Sequence, residues 1–543
     1  MFKQTALSSV DSYKLGHAEQ YPANTTKVYS NFTPRSMSHF NVPAEFNSKK
    51  IVWFGLQGFL AELKEVWDTT FFNRHLKAVI AEADELYTPF CGPNGFDTSR
   101  LAALHKLRYL PLEIKALPEG SQVPVGVPVL TITNTLPEFY WLPNFLETWM
   151  SSELWKSSTS ATTSYVYRKI INKYAELTGG SKEFVQWQGH DFSVRGMSGI
   201  VDAAKSGAGH LLSFTGTDNL PAVKYLQQAY RGKENFIGGS VPATEHSVMC
   251  AGGKESEVET FRRLITQYPK GIISIVSDTW DFWNVITNTA KELKQEILAR
   301  QPDDFGISKV VFRPDSGDPV KIICGYKCAK FIEGTTTIFD LYDDAIEVVQ
   351  IRDKYFKFEY SYYEDNSVCE LIIGEELSEA EVKGAVECLW DIFGGTTNSM
   401  RFKTLNSKVG LIYGDSITPL RCLEILRQLK DKGFASDNIV FGIGSYTFQY
   451  QTRDTLGFAM KATYVEIDGV GQAIFKDPKT DFGTKKSAKG LLCVGKDGDG
   501  YYLVDNATIE QEQDGTLLHT VFLDGKILVN ESLADIRSRL GVI

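Results

Sequence analysis

The sequence predicts an α/β protein, an irregular α/β barrel joined to a β-rich domain that both ends of the chain build together. Three observations predict it. Through the middle of the chain, apolar runs end abruptly in polar or glycine residues: Ile272-Ile273-Ser274-Ile275-Val276-Ser277-Asp278, Val310-Val311-Phe312-Arg313-Pro314-Asp315, Gly410-Leu411-Ile412-Tyr413-Gly414-Asp415 and Ile439-Val440-Phe441-Gly442-Ile443-Gly444-Ser445. A strand buried on both faces gives such a continuous run, and a loop and helix after each make a parallel barrel. Towards both ends the pattern changes to short β-rich runs punctuated by turns, and no linker, repeat or low-complexity tract separates the two kinds of segment.

With 543 residues, 43% of them hydrophobic, the chain exceeds what one core usually serves. The expected division is residues 1–155 with 455–543 as the β-rich domain and 156–454 as the barrel. Leu112-Glu113-Ile114-Lys115-Ala116 and Val129-Leu130-Thr131-Ile132 supply strands from one end. Leu491-Leu492-Cys493-Val494, Tyr501-Tyr502-Leu503-Val504 and a hairpin turning on Asp524-Gly525 supply them from the other. Between Gly317 and Gly410 the spacing is too long for one strand–helix step, so residues 350 to 400 read as an insertion on the barrel. It should hold a hairpin of residues 355–363 with 368–373. A helix should follow, opened by a Ser378/Glu381 capping box, running to about Phe393 and ended by Gly394-Gly395.

A formal charge of −10 and pI ≈ 5.5 argue against a surface matched to nucleic acid or to an anionic membrane. An anionic substrate must then be held by a local basic cluster. The first residues lack the apolar stretch of a signal peptide, and no segment approaches the length of a membrane span, so a cytoplasmic protein is expected. The eight cysteines are scattered and read as reduced thiols; Cys324 and Cys328 form the one close pair, without the further ligands a structural zinc needs.

In such barrels the C-terminal strand ends carry the chemistry. Here they present Ser277, Asp278, Asp281, Arg313, Asp315 and Asp415, and an earlier segment adds His190-Asp191-Phe192-Ser193-Val194-Arg195-Gly196. Carboxylates take ribose hydroxyls or magnesium, and guanidinium forks take phosphate. A single aspartate after a strand is more often a helix cap; several strand ends with the same grammar point to a polyhydroxylated, anionic substrate. Gly442-Ile443-Gly444-Ser445 can cradle a phosphate with backbone N–H groups or simply form a tight turn. Arg453, Lys461, Lys476, Lys485, Lys486 and Lys489 form either a solvated face or a pyrophosphate site. His246, among small residues and beside Glu245, is a candidate nucleophile or acid/base.

Taken in order, Asp11-Ser12-Tyr13-Lys14, Tyr21-Pro22-x-Asn24-Thr25, His190-Asp191-Phe192-x-x-Arg195-Gly196, Phe214-x-Gly216-Thr217-Asp218, Ser240-Val241-Pro242-Ala243-x-Glu245-His246-Ser247, Val276-Ser277-Asp278, Arg313-Pro314-Asp315-Ser316-Gly317, Gly414-Asp415 and Phe475-Lys476-Asp477-Pro478 resemble the nicotinamide phosphoribosyltransferase family. The resemblance runs from about residue 8 to Ile543, interrupted mainly by the insertion. It implies a type II phosphoribosyltransferase fold, the substrates nicotinamide and 5-phosphoribosyl 1-pyrophosphate, and a homodimer with shared active sites. It also implies Mg2+ held mainly by pyrophosphate, and ATP as an activating co-substrate that phosphorylates His246. Phe192 and Tyr13 of the partner subunit would stack on the pyridine, with Arg313 beside it. Asp218, read as a buried carboxylate, would accept a hydrogen bond from the amide and repel nicotinate.

The resemblance further places Asp315, Gly414 and Asp415 at the ribose. The Gly442, Gly444 and Ser445 loop with Arg453 and Lys461 would take the 5′-phosphate. Arg35, Arg195, Lys476 and Lys485 would surround the pyrophosphate, with Ser277, Asp281 and His246 nearby. Two departures stand out: the phosphate loop is bulkier than the family's, and Ala459 replaces a serine just before Lys461. The rival readings are a nicotinate-using relative, which would want a cation where Asp218 stands, and a barrel glycoside hydrolase, which would leave the lysine cluster idle.

Overall fold

The computed structural model describes residues 3–92, 96–230, 236–331, 346–362, 368–476 and 487–542. Six strands form the parallel sheet, β1 Gly189–Asp191, β2 Gly216–Thr217, β3 Gly271–Val276, β4 Ser308–Arg313, β5 Val409–Tyr413 and β6 Val440–Ile443, of which β3 to β6 follow the four apolar runs picked out above. They hydrogen-bond in the order β2-β1-β6-β5-β4-β3. Residues 239–244 run between the two edges. Gly239 bridges Gly216 of β2 in parallel, and Ala243 bridges Ser274 of β3. This irregular stave closes the sheet into a barrel.

The two chain ends do build one sheet. Its seven strands, in spatial order, are Val470–Ala473, Ala459–Ile467, Thr25–Thr33, Leu130–Asn134, Leu112–Ala116, His519–Leu523 and Lys526–Ile527, all antiparallel. The Asp524-Gly525 turn has φ 46° and 78° at its two central residues, the twist that suits a two-residue hairpin. The strands Leu491–Asp497 and Gly500–Ala507 pair with each other in a separate ribbon.

Helix α1, Leu142–Thr178, joins the two domains. The expected boundary at 155/156 falls inside it, because this helix belongs to both. Its stretch from Lys156 to Ser164 is buried throughout. Small hydroxyl residues let other backbones approach: Ser158 Oγ donates to Phe54 O at 2.9 Å and Thr162 Oγ1 accepts from Val52 N at 2.9 Å. Lys156 Nζ donates to Phe448 O at 2.5 Å and Tyr167 OH to Ile417 O at 2.6 Å, so α1 braces the loops after β5 and β6 from beneath.

The insertion begins earlier than expected, as a four-stranded sheet of Cys328–Phe331, Val348–Ile351, Lys354–Tyr362 and Val368–Leu377. Its hairpin pairs as predicted, with Glu359 opposite Ile372, while the turn itself lies outside the described residues. The Ser378/Glu381 capping box is present, but the helix it opens stops at Lys383 and a second one, Ala385–Phe393, follows. Gly384 breaks the run: its φ is 78°, and a Cβ there would stand 2.3 Å from Gly325 N. The seven described cysteines are free, and no helix among the described residues is long and apolar enough to cross a membrane.

Glu119 ties the start of the chain to its end. It accepts from Gly55 N at 2.7 Å, Gln57 N at 2.6 Å and Tyr230 OH at 3.0 Å, and Arg539 donates to its backbone carbonyl. Burial outweighs the three donors and pushes its carboxyl up from 4.5 to about 7. A carboxyl raised on folding contributes its full stability below the unfolded value and loses it as pH rises through the folded one. Thermal midpoints should therefore fall as pH rises from 5 to 8. Glu119→Gln should lower stability by about 1–3 kcal/mol, because one backbone donor loses its acceptor, and flatten that slope; an unchanged slope in differential scanning calorimetry would refute the assignment.

Candidate active site

The rim at the C-terminal ends of β1 to β6 gathers most of the expected residues. Asp218 follows β2. Its Oδ1 lies 2.9 Å from His190 Nε2 and also accepts from Ser240 Oγ. Oδ2 has no partner among the described residues. Burial pushes this carboxyl up, but the bond and charge of His190, the Ser240 hydroxyl and the Arg313 charge outweigh it and hold it below the usual carboxylate value. Asp218 is not buried as expected: its side chain is 42% exposed, because it stands on the rim and not in the barrel interior. The Phe192 ring packs against His190 with centroids 4.6 Å apart.

Arg313 ends β4. Its guanidinium donates to Thr244 O on the closing stave, and its backbone N–H to Ser277 Oγ at 3.2 Å. Burial lowers its pKa, opposed by Asp315, Asp218 and Asp278, while Arg195 adds to the lowering. Arg195 thus belongs to the same electrostatic group. Ser277, expected at the pyrophosphate, is wholly buried and donates to Ile275 O at 2.7 Å; it is a strut between β3 and β4 that sets Arg313.

His246 Nε2 lies 3.2 Å from Asp315 Oδ1, and Nδ1 lies 3.2 Å from Thr279 Oγ1. Asp278 accepts from Asp315 N at 3.0 Å and Ser316 Oγ at 2.5 Å, both on Oδ2. Its Oδ1 is buried with no hydrogen-bond partner among the described residues. Burial and the neighbouring Asp278 charge raise Asp315, against His246. Burial also acts to raise Asp278, but the Ser316 and Asp315 donors prevail and hold it low. One ligand atom each from His246, Asp278 and Asp315 lie within 4.8 Å of one another. Among the described residues Asp278 Oδ1 is met only by His246 Nε2, at 3.9 Å, and two carboxylates so close together suit a hard divalent cation, so Asp278 and Asp315 fit Mg2+. Asp281 instead caps the turn Phe282–Asn284, accepting from Asn284 N at 3.0 Å.

After β5 and β6 the backbone itself is the feature. A Cβ on Gly442 would stand 2.4 Å from Tyr413 O, one on Gly414 2.8 Å from Asp315 Cβ, and one on Gly444 2.5 Å from Asp415 Oδ1. Only glycine lets these loops nest, and Ser445 opens a single helical turn to Phe448. The remaining cations form a second group. Lys461 is lowered by burial, opposed by Glu147 and reinforced by Arg35, Lys14 and Arg453. Lys14 pairs with Glu147 at 2.5 Å, and its ammonium lies 5.1 Å from the centroid of the exposed Tyr13 ring. Lys476 is exposed, its backbone paired with Ser487; Lys485 lies outside the described residues. Reasoning from sequence counted Asp278 among the strand-end carboxylates without giving it a role of its own, and gave Ser240 none. Their signal lies in contacts across the rim, which spacing does not carry.

The sequence model described as the Nicotinate phosphoribosyltransferase (NAPRTase) family matches residues 187–526, and that described as Nicotinamide phosphoribosyltransferase, N-terminal domain, matches residues 5–101. A nicotinamide phosphoribosyltransferase of Acinetobacter baylyi is 49% identical over 541 residues, covering 99% of this chain and 97% of its own. One from Mycoplasma pneumoniae is 32% identical over 501 residues, covering 89% and 94%. Among solved structures, human nicotinic acid phosphoribosyltransferase aligns with 98% of this chain and 93% of its own at a TM-score of 0.51 and 14% identity, a likeness of fold.

Removing one of the donors that hold Asp218 ionised should move its titration upward. In Ser240→Ala the Asp218 carboxyl should protonate at higher pH than in the wild type, read by NMR of 13C-labelled aspartate. A titration that stays in place would show that Ser240 does not act on it.

Proposed function

The chain belongs to the nicotinamide phosphoribosyltransferase family, and we propose that it joins nicotinamide to the ribose of 5-phosphoribosyl 1-pyrophosphate, giving nicotinamide mononucleotide and pyrophosphate. The observation that carries this reading is the division of labour on Asp218. One oxygen is occupied by His190 and Ser240, the other is open, and the group stays ionised. An amide N–H fills that opening, whereas a nicotinate carboxylate meets a like charge. Phe192 supplies the flat apolar face on which a pyridine stacks.

Nicotinamide's ring nitrogen brings its own lone pair, so no side chain has to remove a proton. The chain's task is to align that nitrogen with C1 of the ribose and to stabilise the departing pyrophosphate while positive charge grows on the sugar. Asp315, Asp415 and the Gly414 backbone hold the ribose, and Arg195 stands by the leaving group. Magnesium, when bound, would be held mainly by pyrophosphate, whose charge it would neutralise, with Asp278 and Asp315 the carboxylates that would face it. His246 is also the group on which ATP would act as activating co-substrate.

The second cation group, Arg35, Arg453 and Lys461 with Tyr13, completes the site from the other subunit of a homodimer. Tyr13 of the partner subunit covers the free face of the pyridine, and the partner's Arg453 and Lys461 meet the 5′-phosphate at the loop from Gly442 to Ser445. This accounts for an exposed aromatic ring beside clustered cations, and for an Asp218 left open on a rim.

Given nicotinamide, 5-phosphoribosyl 1-pyrophosphate and Mg2+, the purified protein should form nicotinamide mononucleotide, and Asp218→Asn should lose about 10–100-fold of its preference for the amide over nicotinate. Steady-state assays with both bases decide this, and intact discrimination would reject the role of Asp218. Sharing of the site is tested separately. Mixed and re-equilibrated Asp218→Ala and Lys461→Ala proteins, each inactive alone, should recover activity through hybrid dimers; no recovery in a verified hybrid would reject it.

A further inference from the structure

We infer that Asp191 and Asn219 act together as a positioning pair that sets the base selectivity of the site. They flank the two recognition groups in sequence: Asp191 immediately precedes Phe192, and Asn219 immediately follows Asp218. Both are wholly buried. Asp191 Oδ2 accepts from Asn219 Nδ2 at 3.0 Å, and Asp191 Oδ1 accepts from Ser193 N at 2.9 Å, which fixes the turn that carries Phe192. The Asp191 backbone carbonyl accepts from Asp218 N at 3.0 Å. Ring platform and amide acceptor are thus referenced to one residue.

Asn219 has no spare valence. Its backbone N–H donates to Thr217 Oγ1 at 2.9 Å, its second amide proton to Ala203 O at 2.9 Å, and its Oδ1 accepts from Ala222 N at 3.0 Å, capping the helix Leu220–Ala229. The neighbouring helix Ile200–His210 makes room for it. A Cβ on Gly207 would stand 2.2 Å from Asn219 Nδ2, so this helix is notched to admit the amide. A charge-assisted hydrogen bond in a dry interior is strong and directional. For Asp218 to shift relative to the Phe192 ring, that bond or the Asp218 N–H bond must break. Neither Asp191 nor Asn219 needs to touch substrate to have this effect.

The inference rests on the nicotinamide reading, and the experiment separates the two. Asn219→Ser keeps a hydroxyl able to cap Ala222 N but too short to reach Asp191. It should keep a thermal midpoint near the wild type, raise KM for nicotinamide about tenfold, leave KM for 5-phosphoribosyl 1-pyrophosphate within about twofold, and lower the nicotinamide-to-nicotinate ratio of kcat/KM about tenfold. Wild-type KM and selectivity in that variant would overturn the inference, as would a fall in kcat alone with both KM values unchanged. Should the Ser variant not fold, Asp191→Asn takes its place. That change retains the bond to Ser193 N while turning a donor towards Asn219, and the same selectivity ratio decides. A wild-type protein that forms no nicotinamide mononucleotide would instead defeat the nicotinamide reading.

Discussion

Thr244 joins three things that the rest of the rim depends on. Its N–H donates to Ser274 O at 3.0 Å and its Oγ1 accepts from Val276 N at 2.9 Å, which seals the irregular stave onto β3. Its carbonyl takes the Arg313 guanidinium. A parallel sheet of six short strands would otherwise present two edges with unpaired backbone groups. Closing it through residues 239–244 satisfies those edges, and it also carries Ser240 to Asp218 and His246 to Asp315. The closure and the assembly of the site are therefore one event. The stave is not a regular strand, and that irregularity lets its side chains leave the alternation of a sheet and converge on the mouth.

Charge follows the same economy of placement. The chain carries ten more acidic than basic residues, yet the groups suited to phosphate are gathered in two places. Arg313 and Arg195 sit among rim carboxylates; Arg35, Lys14, Arg453 and Lys461 sit on the β-rich domain around Glu147. Each set has carboxylates close enough to restrain mutual repulsion, and around the single Glu147 the four cations of the second set leave net positive charge to offer. Confining cations to small clusters in an acidic protein draws in an anionic substrate locally while the remaining surface repels nonspecific polyanions.

Much of this was legible in the sequence because it is local. Runs such as Val310-Val311-Phe312 announce buried parallel strands by themselves, Asp524-Gly525 specifies its turn by backbone preference, and Ser378 with Glu381 specifies a cap. What escaped depends on partners distant in the chain. The break at Gly384 answers to Gly325, more than fifty residues away. The closing stave has no strand periodicity, because its pairing is a bridge at each end. Ser277 follows an apolar run like the other rim residues, but its hydroxyl turns inward to Ile275 O. Asp281 has the ordinary fate of an aspartate before a helix. The division at residue 155 cut through α1 because a helix buried on almost every side shows no amphipathic boundary.

A carboxylate that selects by one hydrogen bond faces two opposed demands: it must stay ionised, and it must not move. Glu119 shows what burial does to the first. Even with three donors its carboxyl is pushed up to about 7, so a fully buried acceptor would spend part of its time protonated and would then offer a proton where the substrate amide also offers one. Full exposure fails the second demand, since a free side chain samples rotamers and holds no fixed direction. Asp218 meets both by separating them. Its own carboxylate stays on the rim, 42% exposed and held below the usual range by His190, Ser240 and Arg313. The rigidity comes from the buried residues on either side of the recognition groups, Asp191 and Asn219, whose polar atoms are all engaged. Selectivity of this kind is built by burying the frame and leaving the selecting atom at the surface of the cavity.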